Sequence, residues 1–482
     1  MNDFASAPAD PTDAGRPRQL WRWAVAVGVA AAILAAGPPA GVLPADWRLF
    51  AIFLATIVGS ILRPAPMGAV ILLGIGAIAI TGTMPLGAAL QGYADPIVWL
   101  VLCAFMISRA VTLTGLGRRI AFHFIRLLGH RSLGVAYALA VTDASLAAVI
   151  PSNSARAGGI IFPIARSVAE AYDSRPGPTR RRIGAFLLAA VYQADIVACA
   201  MFLTGQASNV IIAKFALDTA GVDLTYARWL TGAILPGAVA LLLVVYLVYR
   251  LAPPEVTHTP EAVTLARTTL AEMGPMSRSE KITLGVFALI ALLWMTGAWH
   301  QISYAVVALA GICLLLLTNV LAWDDVLGDR AAWDTFIWYG GLVRMAGALG
   351  ESGVTKAFAD WSATLTAGWA WSIALPLLFL IYFYSHYGFA SITAHATAMF
   401  IPFLTVILAA GAPPVLAVAT LAYGSNLTAS LTHYGTTTSP IYFGARYHTQ
   451  REWWTIGLAV SILTIAVWAA VGLVWWKVLG WW

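Results

Sequence analysis

Two short polar stretches interrupt long apolar segments of the chain, and each contains one residue that can carry a positive charge. SNSARAGG begins at Ser152 and contains Arg156, whereas SITAHA begins at Ser391 and contains His395. A charge held within a bilayer costs about 3 kcal/mol on insertion scales, so something negative should offset it. A dianion that bridges Arg156 and a protonated His395 would do so, which makes both side chains candidate ligand-binding residues.

A second interpretation of the same residues needs no ligand. In this interpretation, Arg156 extends to the cytoplasmic surface or pairs with a carboxylate such as Asp143 or Asp195, while His395 only forms a hydrogen bond. Asp195 lies in the apolar stretch VYQADIV. A carboxylate in such a place is either functional or paired with a nearby base. Residue types alone leave both interpretations open.

Hydroxyl and amide side chains surround both basic residues. Such side chains cap helices, and a helix that restarts inside the membrane points its free N–H groups and its positive end at the polar tip. A helix end of this kind attracts anions. The candidate binding residues of this type are Ser152, Asn153, Ser154, Ser391 and Thr393.

Each half of the chain also has a second polar break. FLTGQASNVI at 202–211 contains Asn209, and THYGTTTSPIYFG at 432–444 contains successive hydroxyl residues that include Thr436 and Thr437. Threonine hydroxyls in apolar segments often bond only to carbonyls of their own helix. Because each break follows a polar tip, Asn209, Thr436 and Thr437 remain candidate binding residues.

The composition is typical of a membrane protein. Of the 482 residues, 60% are hydrophobic and 10% are charged, which is far from the range of soluble domains. The three cysteines lie in apolar stretches, so neither a disulfide framework nor a thiolate metal site is predicted. The net charge of +6 does not indicate nucleic-acid binding, because most arginines lie in short loops between apolar segments.

A membrane-embedded enzyme or sensor is a weak hypothesis for this sequence. The sequence has no HExxH or GxSxG motif, and no pair of intramembrane carboxylates is evident that could act as acid and base. We therefore expect no enzymatic activity, no resident metal and no cofactor.

The predicted fold is an all-α polytopic membrane protein. Two apolar segments, 132–172 and 371–410, are too long for one crossing of about 30 Å of hydrocarbon and are split by polar tips, so each is predicted to form a helical hairpin that returns to its own side. Residues 1–20 are predicted to be a disordered tail, 21–251 and 282–482 two membrane halves, and 252–281 a cytoplasmic linker.

The distribution of basic residues predicts the orientation. If the N-terminal tail is cytoplasmic and both hairpins return to their own side, most arginines fall on the cytoplasmic side. The C-terminus, with its tryptophan-rich VWWKVLGWW, then lies outside.

The two halves are related by sequence. At an offset of 239 residues, Ser152 aligns with Ser391, Arg156 with His395 and Asp95 with Asp334. The predicted spans that contain these aspartates run in opposite directions, so the repeats are inverted. Inverted repeats with interrupted segments at matching positions indicate a secondary transporter with a site near the bilayer midplane. Two basic residues at one repeat position favour the ligand-binding interpretation.

Three motifs carry a resemblance to a known family. PSNSARAGGIIFPI, YQADIVACAMFLTG and LTHYGTTTSPIYFGA resemble the divalent anion:sodium symporter family, in its branch of 2-oxoglutarate/malate translocators and citrate/succinate or tartrate/succinate antiporters. The resemblance covers nearly all of residues 20–482. It implies about eleven transmembrane helices with two re-entrant hairpins, a homodimer in membrane lipid, elevator-type transport and a location in a bacterial inner membrane.

Departures from the family pattern bear on coupling. In sodium-coupled members, asparagine or threonine stands where this sequence has Gln206, Ile392 and Ser439. Fewer oxygen ligands together with Arg156 and His395 suggest that fixed cations replace bound sodium. The expected activity is sodium-independent exchange of malate, succinate, 2-oxoglutarate, citrate or tartrate. The alternative is sodium-coupled symport of a dicarboxylate or sulfate, with a residual sodium site at Asn153 and Asn209.

Overall fold

The computed structural model describes residues 20–482, so the tail predicted for 1–20 lies almost wholly outside the described residues. In the described part of the chain the regular elements are all helices, with a single isolated bridge between Arg131 and His258. The predicted all-α fold class is confirmed.

The described residues divide into two compact units. The smaller contains 20–92 and 337–357, and the larger contains 93–336 and 358–482. In the smaller unit α1 packs against α2, and α2 against α3. Its first four helices are α1 (Leu20–Ala36), α2 (Pro44–Leu62), α3 (Met67–Ile80) and α4 (Leu86–Ala89).

The larger unit contains the remaining helices, of which α17 and α18 each extend across a boundary between the units. The helices up to the middle of the chain are α5 (Pro96–Thr114), α6 (Leu116–Leu128), α7 (Ser132–Ala147), α8 (Phe162–Ala171), α9 (Gly184–Met201), α10 (Ala207–Ala220), α11 (Tyr226–Leu251) and α12 (Pro260–Met273). They are followed by α13 (Arg278–Met295), α14 (Gly297–His300), α15 (Tyr304–Leu317), α16 (Trp323–Leu327), α17 (Arg330–Gly350), α18 (Gly353–Leu365), α19 (Trp371–Tyr384), α20 (Ile392–Ala409), α21 (Pro414–Leu427), α22 (Ser439–Gly444), α23 (Gln450–Val467) and α24 (Leu473–Val478).

Six helical segments are long and apolar enough to cross a membrane. They are Pro44–Leu62, Pro96–Thr114, Gly184–Met201, Tyr226–Leu251, Ile392–Ala409 and Gln450–Val478. Shorter apolar helices, such as α1, α3, α7 and α15, accompany them. This set fits the predicted polytopic membrane protein.

The core of the larger unit is centred on α9. All 18 residues of this helix are buried, and it packs against α7, α8, α11 and α21. A helix that is mostly apolar and buried on every side is expected at the centre of a bundle. Through α9, the first polar break is held at the centre of this unit.

Both predicted helical hairpins are present. In the first, α7 ends at Ala147, the tip follows, and a π-helical turn at Ser154–Ile161 leads into α8. In the second, α19 ends at Tyr384, a 3-10 turn covers Ser385–Gly388, and α20 begins at Ile392. The Ser391 hydroxyl accepts a hydrogen bond from the Ala394 N–H and so caps α20.

The two polar breaks identified in the sequence, at 202–211 and 432–444, interrupt the helical structure. The first separates α9 from α10 around a turn at Leu203–Gly205, and the second separates α21 from α22 around residues 428–438. The polar residues at each break explain the interruption, because they favour non-helical backbone that hydrogen-bonds locally.

The region predicted as a linker, 252–281, contains regular structure. Helix α12 packs against α6 and α8. The segment before α12 hydrogen-bonds to the first half through the Glu255 N–H to the Arg181 carbonyl at 3.0 Å and the Thr259 N–H to the His130 carbonyl at 2.9 Å.

Candidate functional site

The tip of the first hairpin is built by local capping. The Ser152 hydroxyl accepts a hydrogen bond from the Ala155 N–H at 3.2 Å, so the chain turns back into helix as the sequence predicted. The returning segment is π-helical from Ser154 to Ile161. π-helical turns are rare in proteins, and those that occur are often found at functional sites. Here the turn places Arg156 inside the protein.

The first hairpin meets the threonine-rich break of the second half. The Asn153 amide donates to the Thr436 hydroxyl at 3.0 Å and to the Thr438 hydroxyl at 3.4 Å. The Ser154 and Thr437 hydroxyls are 2.5 Å apart. The structure thus brings together four of the predicted site residues from opposite halves, and also Thr438.

Within this contact the residues differ in exposure. Asn153, Thr436 and Thr438 are buried, whereas Ser154 is partly accessible and Thr437 is exposed. The two accessible hydroxyls can therefore reach a ligand, while the buried residues hold the two breaks together.

Arg156 lies in a fully buried network. Its guanidinium Nη1 donates to the carbonyls of Ile150 at 2.8 Å and Gly205 at 2.7 Å. Its Nε is 3.2 Å from Asp143 Oδ1, and its Nη2 is 3.0 Å from Asp195 Oδ1. The carboxylate pairing that was one of the two sequence interpretations is therefore the one observed.

The carboxyl groups of Asp143 and Asp195 therefore lie beside the same guanidinium group. This corrects the expectation that the membrane region lacks paired carboxylates. Among the described residues, Asp143 Oδ2 and Asp195 Oδ2 have no hydrogen-bond donor.

Asn209 occupies the first polar break. Its amide donates to the carbonyls of Cys199 at 2.8 Å and Phe202 at 2.9 Å. Its Oδ1 accepts from the Asn426 amide at 2.8 Å. Both ends of this side chain are thus engaged, and the carbonyls at the end of α9 are already hydrogen-bonded.

The second hairpin places its candidate residues at the start of α20. Thr393 and His395 are buried, and α20 packs against α10, which carries Asn209. The His395 Nε2 lies 3.0 Å from both the Ser385 hydroxyl and the Tyr382 carbonyl. In the described chain Arg156 and His395 have no hydrogen-bond partner in common. Each of the two side chains is bonded to its own set of protein groups, and a dianion bridging them stays a prediction.

Sequence reasoning missed several residues that organise the site. The Tyr192 hydroxyl donates to the Ala429 carbonyl at 2.7 Å, and the Tyr442 hydroxyl donates to the Ala157 carbonyl at 2.9 Å. Asn426 supports Asn209. A polar side chain inside an otherwise apolar segment was the available signal for all three.

The residues described here include no group of three or more histidine, cysteine, aspartate or glutamate side chains that could hold a metal ion. The groups that the candidate residues and their partners supply are hydroxyls, amides, one guanidinium, one imidazole and two carboxyl groups.

Comparison of the whole chain with known protein families gives a result that fits this membrane-type helical bundle. Residues 17–482 match the family model described as the sodium:sulfate symporter transmembrane region. The chain belongs to the divalent anion:sodium symporter family. The family resemblance seen in the sequence is thus confirmed, and the chain is a membrane transporter and not an enzyme.

Relatives within the divalent anion:sodium symporter family match most of the chain. The putative malate transporter YflS of Bacillus subtilis is 45% identical over 445 residues, covering 92% of this chain and 93% of the relative. Dicarboxylate transporter 1 of Arabidopsis thaliana chloroplasts is 42% identical, covering 92% of this chain and 80% of the relative. The inner membrane protein YbhI of Escherichia coli is 33% identical, and the match covers 96% of this chain and 99% of YbhI.

One solved structure supports the fold. The YdaH transporter of Alcanivorax borkumensis superposes with a TM-score of 0.52 at 15% identity, covering 96% of this chain and 98% of YdaH. At this identity the similarity concerns the fold alone.

Proposed function

We propose that the protein exchanges di- or tricarboxylates such as malate, succinate, 2-oxoglutarate, citrate or tartrate across a membrane, independently of sodium and by an elevator-type movement. Family membership and the names of relatives as malate and dicarboxylate transporters support the substrate class. The name of YbhI as an inner membrane protein supports a bacterial inner membrane.

The environment of Arg156 is the observation that carries the sodium-independent part of the proposal. Its guanidinium forms hydrogen bonds with two backbone carbonyls and ion pairs with two carboxylates. Hard cations are bound by such oxygen ligands. A cation that is covalently part of the chain therefore occupies the oxygen set that a bound sodium ion would need. The Asn209 amide likewise donates hydrogen bonds to two further carbonyls, which are then not free to bind a sodium ion.

The same geometry changes the expected role of Arg156 in binding. Because the guanidinium is fully buried and bonded to protein oxygens, we assign direct substrate contact to the accessible hydroxyls of Ser154 and Thr437. Ser391 and the start of α20 would contribute the second helix N-terminus. These groups suit carboxylate oxygens, which accept hydrogen bonds from hydroxyl and N–H donors.

Exchange follows from the cost of moving an empty site. Without substrate, the first N–H groups of the helices at both tips, which have no partner within their own helix, would cross the membrane barrier unsatisfied, and each such group costs roughly 2 kcal/mol or more. A bound dicarboxylate would satisfy them, so the loaded form should cross more readily than the empty one.

Sodium-coupled symport of a dicarboxylate or sulfate is the second candidate. The description of the matching family model as a sodium:sulfate symporter favours it. Asn153 and Asn209 would then belong to a cation site after rearrangement of their present hydrogen bonds.

Uptake of radiolabelled succinate into proteoliposomes tests the proposal. Vesicles preloaded with unlabelled malate are compared with empty vesicles, each with and without an inward sodium gradient. We expect uptake that needs internal malate and is unchanged by sodium. Sodium-driven uptake into empty vesicles would overturn the proposal in favour of symport.

A further inference from the structure

A cavity lined by several charged residues lies apart from the proposed transport site, where α9 and α23 begin. It has a volume of about 270 Å³. Its charged and polar lining consists of Arg180, Arg181, Arg451, Glu452, His448 and Thr455. None of these residues belongs to the transport site described above.

The cavity has an excess of positive charge. Glu452 is engaged by Arg180, with 2.7 Å from Nη1 to Oε2 and 2.9 Å from Nη2 to Oε1. Arg181 lies further away, at 3.6 Å from Glu452 Oε1. Among the described residues, no carboxylate lies within ion-pair distance of Arg451. Three guanidinium groups and one carboxylate leave two positive charges uncompensated.

His448 is a buried residue of this cavity whose ring lacks the hydrogen bonds expected of a buried polar group. Its side chain is 8% exposed and lines the cavity, yet neither ring nitrogen has a hydrogen-bond partner in the described structure. The Ala185 carbonyl and the Glu452 carboxylate lie nearby without forming that bond. Buried polar groups are nearly always hydrogen-bonded. A ligand that enters the cavity would provide the missing hydrogen-bond partner of the His448 imidazole.

Burial also sets the protonation of the ring. It lowers the pKa of His448 to about 4, so the imidazole is neutral near pH 7 and offers one N–H donor and one acceptor. A donor of this kind beside free guanidinium groups suits an oxyanion.

We propose that this cavity is an anion site that binds a phosphate group, held by the guanidinium groups of Arg181 and Arg451 and by the His448 N–H. The planar fork of a guanidinium matches phosphate oxygens in a bidentate manner. The group could come from a soluble phosphate compound or from an anionic lipid headgroup, since the chemistry is the same.

Occupation of the cavity would connect the starts of two core helices. Arg180 and Arg181 precede α9, which carries Asp195, and His448 and Arg451 flank the start of α23. A bound phosphate group would join these segments and stabilise the folded protein, because a ligand that binds only the native state raises its stability.

Thermal unfolding of the full-length protein in neutral detergent tests the site with inorganic phosphate, at ionic strength held constant with chloride. The cavity variant is Arg181→Gln with Arg451→Gln. The matched control is Arg175→Gln with Arg267→Gln, which removes two exposed arginines that do not line the cavity. His448→Phe is a second variant that keeps a ring but removes both nitrogens. The lipid source is tested in phosphatidylcholine vesicles with and without phosphatidic acid.

We expect the phosphate probe to stabilise the wild type and the control variant in a saturable manner. The apparent Kd for the probe should be at least tenfold higher in the cavity variant and should also be higher in His448→Phe. Stabilisation by inorganic phosphate identifies a soluble source, and stabilisation by phosphatidic acid alone identifies a lipid source. The site is excluded if neither probe stabilises the wild type, or if the control variant loses as much as the cavity variants. Stabilisation that both cavity variants retain would place the phosphate elsewhere and equally overturn the proposal.

Discussion

At the scale of single residues, Arg156 shows what a sequence can and cannot specify. Its position within an apolar segment marked it as important, because a charge there needs compensation. Its partners could not be chosen, because Asp143, Asp195 and a substrate were all chemically suitable. The π-helical turn at Ser154–Ile161 determines where the guanidinium points, and no residue pattern in the sequence indicated that turn.

Removal of Arg156 should create a sodium site. Arg156→Ala frees the carbonyls of Ile150 and Gly205 and leaves two buried carboxylates without their cation. We expect lower stability in potassium chloride and a recovery in sodium chloride, which would reach about 2.7 kcal/mol when sodium is at a hundred times its Kd. Thermal unfolding in the two salts measures this.

The control for that experiment is Arg109→Ala, which removes an exposed arginine that lies 3.8 Å from Asp325. Neither the control nor the wild type should distinguish sodium from potassium. If Arg156→Ala is equally stable in both salts, the guanidinium does not occupy a cation site.

The accessible hydroxyl pair should affect substrate affinity more than folding. Ser154→Ala combined with Thr437→Val removes both hydroxyls at the contact between the two halves. We expect a rise in KM for succinate of about tenfold or more, since the loss of hydrogen bonds to a charged group costs about 1.5–3 kcal/mol. Exchange kinetics in proteoliposomes give the KM, and thermal unfolding gives the stability.

Thr420→Val is a suitable comparison, because within residues 20–482 the Thr420 hydroxyl bonds only to the Leu416 carbonyl of its own helix, at 2.8 Å. Its KM should match the wild type. An unchanged KM in the double variant would remove Ser154 and Thr437 from the substrate site.

At the scale of elements, the hairpins were predictable and their contacts were not. Apolar segments too long for one crossing, each split by a polar tip, required a turn within the membrane. The repeat then suggested that corresponding tips and breaks belong together. It did not show that the tip of one half meets the break of the other through Asn153 and Thr436, because such long-range pairing depends on packing around the buried helix α9.

The region 252–281 illustrates a second limit. Its polar composition suggested a linker, yet a buried ion pair holds its end against α6. The Arg119 Nε is 2.6 Å from Glu280 Oε1, and its Nη1 donates to the Gly274 carbonyl at 2.9 Å. Charged residues spread over a polar stretch do not reveal such pairing, since surface pairs and buried pairs have the same composition.

Loss of this ion pair should destabilise the protein in a pH-dependent manner. Hydrogen bonds from Arg119 lower the pKa of Glu280 below its ordinary value, so its contribution is complete above the unfolded pKa of about 4.3 and is lost as the pH falls through the lower folded value. Glu280→Gln should cost about 3 kcal/mol at pH 7, and the difference from wild type should shrink below about pH 4.

Thermal unfolding across this pH range provides the measurement. Glu170→Gln is the comparison, because the Arg166–Glu170 pair is exposed, at 57% and 44% of the two side chains, and exposed pairs contribute about 0–1 kcal/mol. Equal losses in the two variants, or a Glu280→Gln loss that persists at low pH, would contradict the assignment.

At the scale of the whole molecule, the sequence repeat and the compact units divide the chain differently. The repeat separates 21–251 from 282–482, whereas the smaller unit joins 20–92 with 337–357. A sequence comparison detects shared ancestry of segments. It cannot detect which segments of the two halves pack together, because packing depends on the folded path of the chain.

The orientation of the chain is a prediction that labelling can test. With the exposed Cys313 replaced by serine, single cysteines are introduced as Arg267→Cys and Lys477→Cys at exposed positions. In intact cells a membrane-impermeant maleimide should label the cysteine at 477 and should reach the one at 267 only after permeabilisation. The reverse pattern would place the N-terminus outside.

The guanidinium of Arg156 is attached to the polypeptide and cannot be released with a substrate. Under the proposed exchange mechanism, a transporter with such a built-in cation draws no energy from salt gradients and moves one acid inward only as another leaves. At equilibrium, acids of equal charge reach the same ratio of inside to outside concentration. The direction of net exchange is then set by which acid the cell makes and which it consumes, so metabolism itself supplies the driving force.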